Sequence, residues 1–537
     1  METLDLPHSL GTTSSLLLRM LRKTLFLSLL CSFSTAANAD ALNATISSAI
    51  ASVTNSTTTD VNICCKALQQ ALGSKVSYSN SSTYSAFLEN FYSQQESDIS
   101  PGCILSPTST TDVSISVGIL SVLGKSTNWN PSCQFAVKSG GHAPGAGDAN
   151  INQGVSIDLS SINAISVNTN ESVVSVGPAA RWGEVYSRLD ALQLTVPGGR
   201  VSTVGVGGLT LGGGISYFSP RKGFACDNVK NLEVVLANGR VVNANAKENS
   251  DLFLALKGGS NNLGVVTRID FYAFQQGNIW GGNILYPLTT ADQQINALAD
   301  FSTNATYDEN ASLIMSFAFQ LGLGAVVVNN VVYTEPVVNP PVYQPFTAIQ
   351  PQFFDTMGIR NLSDVTSETL AILPRSRTLF KTTTFKANRE MITTAFNAYN
   401  ASLPSIQSLA GMTWALSLAP LPTNIPAKSA PLGGNVLGVT PDDGPLIVAL
   451  LTATWTDIAD DTLVTDTAQA IFDTIDSFAT TEGYLNDWQY LNYAANSQDP
   501  IDGYGATNKA ILQAASRKYD PAGVFQKGVP GGFKIFV

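Results

Sequence analysis

The chain has 537 residues, of which 44% are hydrophobic and 13% charged, so it can bury a large core and is not disordered. This length favours two or three domains over a single one. The formal net charge of -11 at pH 7 disfavours nucleic acid as a partner, because polyphosphate would be repelled.

Residues 1–39 have the pattern of a signal peptide. A basic pair at 22–23 and an apolar run at 25–33 precede the small-x-small cleavage site at 37–39. The residues upstream of Met20 do not fit this pattern. Either translation starts at Met20, or these residues extend the basic N-terminal region of the signal peptide. The apolar run is shorter than the roughly 18 residues that span a bilayer. We therefore expect secretion without a stable membrane span, with a short anchoring helix as the alternative.

Asn-x-Ser/Thr sequons are scattered along the chain, as expected for the glycosylated surface of a secreted protein. They lie at Asn43, Asn55, Asn80, Asn170, Asn304, Asn310, Asn361 and Asn400.

The cysteines indicate an oxidising compartment. Five of the six remain after the signal peptide, and this odd number leaves at least one thiol unpaired. We expect a disulfide from Cys64 or Cys65 to Cys103, which would tie an N-terminal helix to the first domain. The sequence does not decide which of the two neighbouring cysteines pairs.

Residues 40–98 predict a helical lead-in, since Cys65, Leu68 and Leu72 lie near helical spacing. Over residues 99–277, short β-branched runs alternate with glycine clusters, which predicts a mixed α+β domain. An apolar stripe from Trp182 to Leu192 predicts a helix within it. The predicted strands are Phe135–Val137, Val155–Leu159, Val173–Val176 and a hairpin of Leu232–Leu236 with Val241–Val242 across Asn238-Gly239.

Residues 278–485 predict a second domain of long strands separated by helices. Its proline-rich connections at 336–345 and 421–445 are expected to be surface loops. Residues 486–537 are expected to pack back on the first domain. The predicted long strands are Ser312–Phe319, Ala325–Val332, Arg377–Phe385 and Leu446–Trp455.

His142 is the only histidine besides His8, which lies within residues 1–39. It leaves the apolar strand that starts at Phe135 through the turn Gly140-Gly141. This isolation predicts a specific chemical duty for His142 and leaves no second histidine for acid/base work.

Three glycine clusters, at 138–147, 205–214 and 258–264, follow predicted strands. Glycine lets backbone amides approach an anion closely, so three such turns suggest one large phosphate-bearing ligand. None matches Gly-x-Gly-x-x-Gly between a strand and a helix with an acidic residue about 20 positions on. The run that starts at Gly205 comes nearest, but more glycine rather than a helix is expected after it. A nicotinamide-binding Rossmann domain is therefore disfavoured.

Several motifs resemble, in order and spacing, the FAD domain of the vanillyl-alcohol oxidase and p-cresol methylhydroxylase superfamily. They are Lys138-Ser139-Gly140-Gly141-His142, Thr203–Gly214, Leu232–Gly239 and Leu256–Thr267. Three more motifs resemble the C-terminal signature of its berberine-bridge-enzyme-like branch, fungal type: Tyr490-Leu491-Asn492-Tyr493, Tyr519-Asp520-Pro521 and Gly523–Gln526.

The resemblance runs from about Cys103 to Phe536 and implies an α+β fold. In this fold an FAD-binding domain of two α+β subdomains is joined to a substrate domain, whose antiparallel sheet is backed by helices.

The resemblance implies that His142 is bonded covalently to the 8α carbon of FAD. Val201 stands where many relatives carry a cysteine that makes a second bond, so a single covalent bond is expected. Val204 matches the position that gates oxygen, and valine there implies an oxidase that forms hydrogen peroxide. The other implied cofactor-binding residues are Lys138, Ser139, Gly140, Gly141, Gly145, Val201, Thr203, Val204, Gly205, Gly208, Gly213, Gly264, Val266 and Asn492.

Related oxidases use a tyrosine of Tyr-x-x-Tyr as the base, so the resemblance implies Tyr493 as catalytic base and Tyr490 as the residue that positions substrate. A phenol needs a nearby cation or the surroundings of the flavin to act near neutrality. Plain aromatic packing is the alternative. Asn492 is expected to bind the flavin or to orient one of these tyrosines.

The resemblance implies an enzyme that passes hydride from an alcohol or amine carbon to FAD, with molecular oxygen as acceptor. Its substrate is either a sugar or oligosaccharide, or a secondary metabolite undergoing dehydrogenation or ring closure. Few basic residues are present, so no anchor for an anionic substrate is apparent. A non-catalytic flavin- or carbohydrate-binding protein on the same fold is the alternative. We expect a monomer and, with one histidine and scattered cysteines, no metal site.

Overall fold

The computed structural model describes residues 40–54, 62–168, 170, 172–368 and 376–536. The signal peptide expected over residues 1–39 and the sequon at Asn55 lie outside these ranges. Residues 40–54 form helix α1, which belongs to a first unit ending at Thr59. All other elements belong to a second unit that begins at Asp60.

The second unit opens with a small sheet whose strands lie in the order β1-β2-β4-β3. Strands β2 and β3 both run parallel to β4, and β1 is antiparallel to β2. Nearly every residue of β2, β3 and β4 is buried, as is typical of parallel strands covered on both faces. The elements are α2 (Ile63–Leu72), β1 (Val76–Ser77), α3 (Ser82–Glu89), α4 (Gln94–Ser97), β2 (Cys103–Leu105), α5 (Thr110–Ser126), β3 (Phe135–Lys138) and β4 (Val155–Asp158).

A second, antiparallel sheet has the order β5-β6-β10-β8-β9. The β8–β9 hairpin turns at Asn238-Gly239 as predicted, with φ of +81° at Gly239. The predicted helix buries Trp182, Tyr186 and Leu189. The elements are β5 (Ile165–Asn168), β6 (Val173–Val176), α6 (Trp182–Asp190), β7 (Leu194–Thr195), α7 (Val206–Leu211), α8 (Ser219–Lys222), β8 (Val229–Val235), β9 (Val241–Asn245), α9 (Ser250–Leu256), β10 (Val265–Tyr272) and β11 (Phe274–Gln275).

One sequence prediction about this region is wrong. The glycine-rich sequence after Gly205 predicts that no helix follows, but residues Val206–Leu211 form helix α7, with Gly205 as its N-cap. The helix forms despite two glycines because its first two backbone N–H groups bond to the carbonyls of Ala180 and Pro178. The exclusion of a Rossmann domain rests instead on the sheet, in which β10 pairs antiparallel with β6 and β8.

A third, antiparallel sheet has the order β15-β12-β14-β13-β18-β19-β17-β20, and β16 also pairs with β12. The four predicted long strands are confirmed, whereas the nine-residue strands β12 and β18 are not among the predicted ones. Helices α10, α13 and α15 pack on one face of this sheet around Trp414, Trp455 and Tyr399. The elements are β12 (Ile279–Pro287), α10 (Ala291–Ser302), β13 (Ala311–Gln320), β14 (Gly324–Tyr333), α11 (Gln344–Thr347), β15 (Phe354–Asp355), β16 (Gly358–Arg360), α12 (Leu362–Ser367), β17 (Arg377–Lys386), α13 (Arg389–Ile406), β18 (Thr413–Leu421), α14 (Asn424–Ala427), β19 (Leu446–Trp455), α15 (Asp461–Thr481) and β20 (Leu485–Asn486).

The C-terminal segment, with helix α16 (Gly505–Tyr519), packs on the glycine segment 258–264. Gln526 donates to the side-chain oxygen of Asn262 at 3.0 Å, and Asn261 donates to the carbonyl of Gly531 at 3.0 Å. The molecule therefore has the predicted α+β fold, with one antiparallel sheet backed by helices.

Two disulfides tie α2 to strand β2 and to the turn that precedes β3. Cys65 pairs with Cys103, which is one of the two expected alternatives, and Cys64 pairs with Cys133. Cys226 is buried and makes no disulfide.

Most sequons within the described residues have exposed asparagines: Asn43, Asn80, Asn170, Asn304 and Asn400. Asn310 and Asn361 are half-buried, and the amide oxygen of each accepts hydrogen bonds. In the described part of the chain, no helix is long and apolar enough to cross a bilayer. The same residues contain no cluster of three or more potential metal ligands.

Candidate active site

The structure brings the three glycine segments together. A Cβ built on Gly140 would lie 2.4 Å from the Cα of Gly205, so both positions require glycine for this approach. The N–H groups of Gly258 and Ser260 both donate to the carbonyl of Leu211 at 3.1 Å. Gly208 is exposed and has open space where a side chain would be. A ligand could therefore approach the backbone closely here, as a large phosphate-bearing group requires.

His142 lies at the edge of this glycine cradle with its ring orientation fixed on two sides. The ring of Tyr92 stacks on the imidazole, with centroids 3.9 Å apart and planes 19° apart. The Oγ1 of Thr203 lies 3.5 Å from Nε2. Burial, together with the nearby cation of Arg181, lowers the pKa of His142 to about 4. The imidazole is consequently neutral near pH 7, the form that can act as a nucleophile.

Lys138 directs its ammonium into the protein. Its Nζ lies 3.4 Å from Asp158 Oδ1 and about 5 Å from the ring centroids of Phe87 and Phe91. Burial lowers its pKa, although Asp158 opposes this shift. This geometry makes Lys138 a support for the turn before His142 and leaves only its backbone for a cofactor.

Arg200 and Tyr493 form the most chemically distinctive pair of the site. The buried guanidinium donates to the phenol oxygen of Tyr493 at 2.6 Å. Burial alone would lower the pKa of Arg200, but the oxygens of Tyr493, Tyr217 and Tyr490 outweigh it and raise the pKa. The guanidinium therefore stays charged beside the phenol and can stabilise a negative charge on that oxygen.

Tyr490 is placed differently from Tyr493. Its phenol oxygen is buried and accepts hydrogen bonds from the N–H of Ile215 at 2.9 Å and from the amide of Asn492 at 3.0 Å. Burial raises the pKa of Tyr490 well above its usual range. Asn492 also donates to the carbonyl of Leu209 at 3.0 Å, so it orients Tyr490 and ties it to helix α7.

Polar contacts extend from this cluster to the third sheet. Tyr217 donates from its phenol to Asn330 at 2.9 Å and lies near the carbonyl of Arg200. Asn330 donates in turn to Asn283 on the neighbouring strand at 3.0 Å. The ring of Phe380 on β17 lies edge-on to Tyr493, with centroids 6.4 Å apart. The sheet face opposite its helices thus lies over the tyrosine cluster.

The remaining sequence-predicted positions surround the cradle or support it. Val201 and Val204 are half-buried, and Val204 packs against the hydrophobic core that contains Trp182 and Tyr186. The others are Ser139, next to Gly207; Gly141 and Gly213, with φ of +63° and +105°; Gly145, against Asn496 and Asp148; and Gly264 and Val266, buried beside β8.

Sequence reasoning missed three site residues. Arg200 directly precedes Val201, and only Val201 was interpreted in that motif. A lone arginine in a glycine-rich apolar run would have indicated a specific role for its charge. Tyr92 and Tyr217 carried no such signal, because their positions depend on contacts between distant segments.

Comparison with known proteins identifies the chain. A family of FAD binding domains matches residues 101–245. The FAD-dependent monooxygenase drtC of Aspergillus calidoustus is 36% identical over 477 residues, covering 88% of this chain and 90% of that protein. The FAD-dependent monooxygenase tpcD of Cochliobolus heterostrophus is 37% identical over 464 residues, covering 83% and 87%. The chain is an FAD-dependent oxidoreductase. It belongs to the fungal family of FAD-dependent enzymes that includes drtC and tpcD.

Solved structures share the fold of this oxidoreductase. The 6-hydroxy-D-nicotine oxidase of Arthrobacter nicotinovorans superposes with a TM-score of 0.70 at 19% identity, covering 86% of this chain and 97% of that one. A xylooligosaccharide oxidase of Myceliophthora thermophila C1, in complex with xylobiose, gives 0.68 at 18% identity, covering 87% and 97%.

Proposed function

We propose that this FAD-dependent oxidoreductase is a secreted oxidase that removes a hydride from a carbon bearing a hydroxyl or amine group. Its substrate is a secondary metabolite or a sugar, and dioxygen is the final acceptor. The observation that carries the proposal is the contact between Arg200 and Tyr493, which supplies the cation that a phenolic base requires.

FAD, when bound in the glycine cradle, supplies the acceptor for the hydride. Tyr493 takes the proton from the substrate hydroxyl or amine, and Arg200 stabilises the negative charge of the phenolate. Tyr490 does not act as the base, because two N–H donors hold its phenol oxygen in the core. Its own ring is held in place by these bonds and packs against the ring of Tyr493, with centroids 4.7 Å apart, so it positions Tyr493.

A single bond to His142 is proposed to hold FAD. The neutral imidazole at the edge of the cradle supports this role, as does Val201, which offers no thiol for a second bond. Proteolytic digestion and mass spectrometry test the bond. Flavin should stay on one peptide, the one containing His142, and free flavin after acid denaturation would refute the tether.

Secretion fits the two disulfides and the exposed sequons at Asn80, Asn304 and Asn400. Expression in a eukaryotic host should give a protein in the medium whose mass falls on treatment with an endoglycosidase. Retention of an unglycosylated protein inside the cells would contradict this part of the proposal.

Monooxygenation is the second candidate reaction, since relatives at 36% and 37% identity are named FAD-dependent monooxygenases. Labelled dioxygen separates the two. An oxidase leaves the label in hydrogen peroxide, with one peroxide formed per substrate oxidised. A monooxygenase places one labelled atom in the product and requires an external reductant.

The central experiment follows the bleaching of bound FAD under anaerobic conditions with panels of oligosaccharides, aromatic alcohols and amines. We expect bleaching with one panel, followed by peroxide formation when oxygen is admitted. Tyr493→Phe should abolish bleaching while retaining FAD, whereas Tyr519→Phe, which removes a surface phenol bonded to Asp251, should have no effect. Equal rates for Tyr493→Phe and the wild type would overturn the assignment, and absence of bleaching with every panel would favour a non-catalytic binding protein.

A further inference from the structure

We propose that Tyr92 is the positioning residue for covalent attachment of FAD to His142. This inference rests on the proposed tether. Tyr92 lies in the lead-in before the FAD domain, 50 positions from His142 in the sequence, and makes the closest ring contact of the imidazole.

The backbone and the ring of Tyr92 are both held in place. Its backbone N–H donates to the carbonyl of Gly141 at 2.9 Å, so it is anchored to the same turn that presents His142. On its other side, the ring of Phe380 lies edge-on, with centroids 5.8 Å apart. The tyrosine ring is consequently held between His142 and strand β17 and cannot turn away without losing both contacts.

The imidazole is restrained in turn. One face is covered by the ring of Tyr92, and Nε2 faces the hydroxyl of Thr203 at 3.5 Å. A stacked pair of rings contributes about 0.5–1.5 kcal/mol, which is lost when one ring turns away from the other. Rotation about the side-chain bonds of His142 would break the stack, so the ring is held in one plane before any cofactor arrives.

Attachment needs this restraint. A nitrogen of the neutral imidazole forms a bond to the 8α carbon, while one C–H bond of that methyl group and the imidazole N–H bond break and release two protons. The electron pair from the C–H bond reduces the isoalloxazine, and dioxygen reoxidises it with formation of hydrogen peroxide. Because the nitrogen must meet one carbon atom, the attachment rate depends on how well the ring is aligned.

The surroundings of Tyr92 also keep the imidazole unprotonated. Its ring removes one face of His142 from solvent, and Arg181 adds a positive charge nearby. Arg181 is itself held by Asn90, two residues before Tyr92, at 3.4 Å. The same short segment therefore orients the histidine and places the cation.

The test compares variants of the full-length protein expressed with FAD available. The measured quantity is the flavin retained per chain after acid precipitation, alongside total FAD before precipitation. Tyr92→Ala and Tyr92→Leu should retain about fivefold less flavin, in line with the loss of one ring stack. Tyr92→Phe keeps the ring and should match the wild type. Gln94→Ala is the control in the same segment, since its side chain donates to Asp98 at 2.6 Å, and it should also match the wild type.

The outcomes separate the two proposals. A wild-type protein that releases all its FAD in acid would overturn the tether itself. If the wild type retains its flavin and both Tyr92→Leu and Tyr92→Ala retain as much, the tether stands and the role of Tyr92 is wrong. Losses in Tyr92→Phe or Gln94→Ala equal to that of Tyr92→Leu would show general damage to the segment and would likewise overturn positioning by the stacked ring.

Discussion

The guanidinium of Arg200 lies 2.6 Å from the phenol oxygen of Tyr493, although 293 positions separate the two residues in the sequence. Arg200 directly follows Gly198-Gly199 in the loop after β7, whereas Tyr493 belongs to the C-terminal segment. The site is thus completed only when the C-terminal segment returns to the FAD domain.

Replacing Arg200 should slow the chemical step and leave the cofactor bound. Arg200→Met removes the charge that stabilises the deprotonated phenol, so we expect the anaerobic rate of FAD reduction to fall by about 10²-fold, the lower range for acid/base groups. Arg200→Lys should restore part of the rate. Arg188→Met, on the exposed side of α6, is the matched control. A rate for Arg200→Met within twofold of the wild type would show that the pair is only structural.

Tyr490 should contribute to stability through the two buried hydrogen bonds that its phenol oxygen accepts. Tyr490→Phe leaves the N–H of Ile215 and the amide of Asn492 without their buried acceptor. An unsatisfied buried donor costs about 1–3 kcal/mol, so the free energy of unfolding should fall by at least that amount. Urea denaturation of Tyr490→Phe beside Tyr519→Phe, whose phenol bonds to Asp251 at the surface, measures the difference. Equal losses for the two variants would contradict the distinction.

The sequence predicted the strands and the glycine cradle well, because both depend on local patterns. Alternating β-branched runs located β6 and β19 to the residue, and the diglycine before His142 marked the cradle. Helix α7 was missed, since its stability comes from hydrogen bonds to distant carbonyls that outweigh the low helix propensity of glycine. Arg200 was missed for a similar reason, since only tertiary contacts bring it to Tyr493.

Loss of either disulfide should destabilise the lead-in. The Cys64–Cys133 bridge closes a separation of 69 residues, and the Cys65–Cys103 bridge closes one of 38. Replacing both members of a pair by serine should reduce the free energy of unfolding by about 2–4 kcal/mol. Thermal denaturation of Cys64→Ser/Cys133→Ser and of Cys65→Ser/Cys103→Ser measures this, with Cys226→Ser as a buried control that breaks no bridge. Peptide mapping without reductant checks the pairing, and a Cys64–Cys103 peptide would contradict it.

The contribution of one buried carboxyl group, that of Glu96, to stability should fall as pH rises from about 5 to 8. Glu96 is fully buried and accepts hydrogen bonds from the N–H of Ala149 at 2.6 Å and of Gly147 at 3.2 Å, in the loop after His142. Burial, with a smaller effect from Asp148, raises the pKa of Glu96 from 4.5 to about 8.

The folded protein therefore binds this proton more tightly than the unfolded chain does. The resulting stabilisation is fully present below pH 4.5 and is lost as pH rises through about 8, at up to about 1.4 kcal/mol per pH unit. Glu96→Gln cannot titrate, so its free energy of unfolding should change less over this range.

Asp148 and Lys534 lie nearby and titrate as well, since burial raises the pKa of Asp148 to about 6 and lowers that of Lys534 to about 7. Both remain in Glu96→Gln, so the difference between wild type and variant isolates Glu96. Urea denaturation at pH 5, 6, 7 and 8 should give stabilities that lie close together at pH 5, where Gln resembles the protonated carboxyl, and that separate towards pH 8 as only the wild type loses the Glu96 contribution. Glu248→Gln, which changes an exposed carboxylate, should run parallel to the wild type. A Glu96→Gln curve parallel to the wild type would show that Glu96 does not titrate on folding.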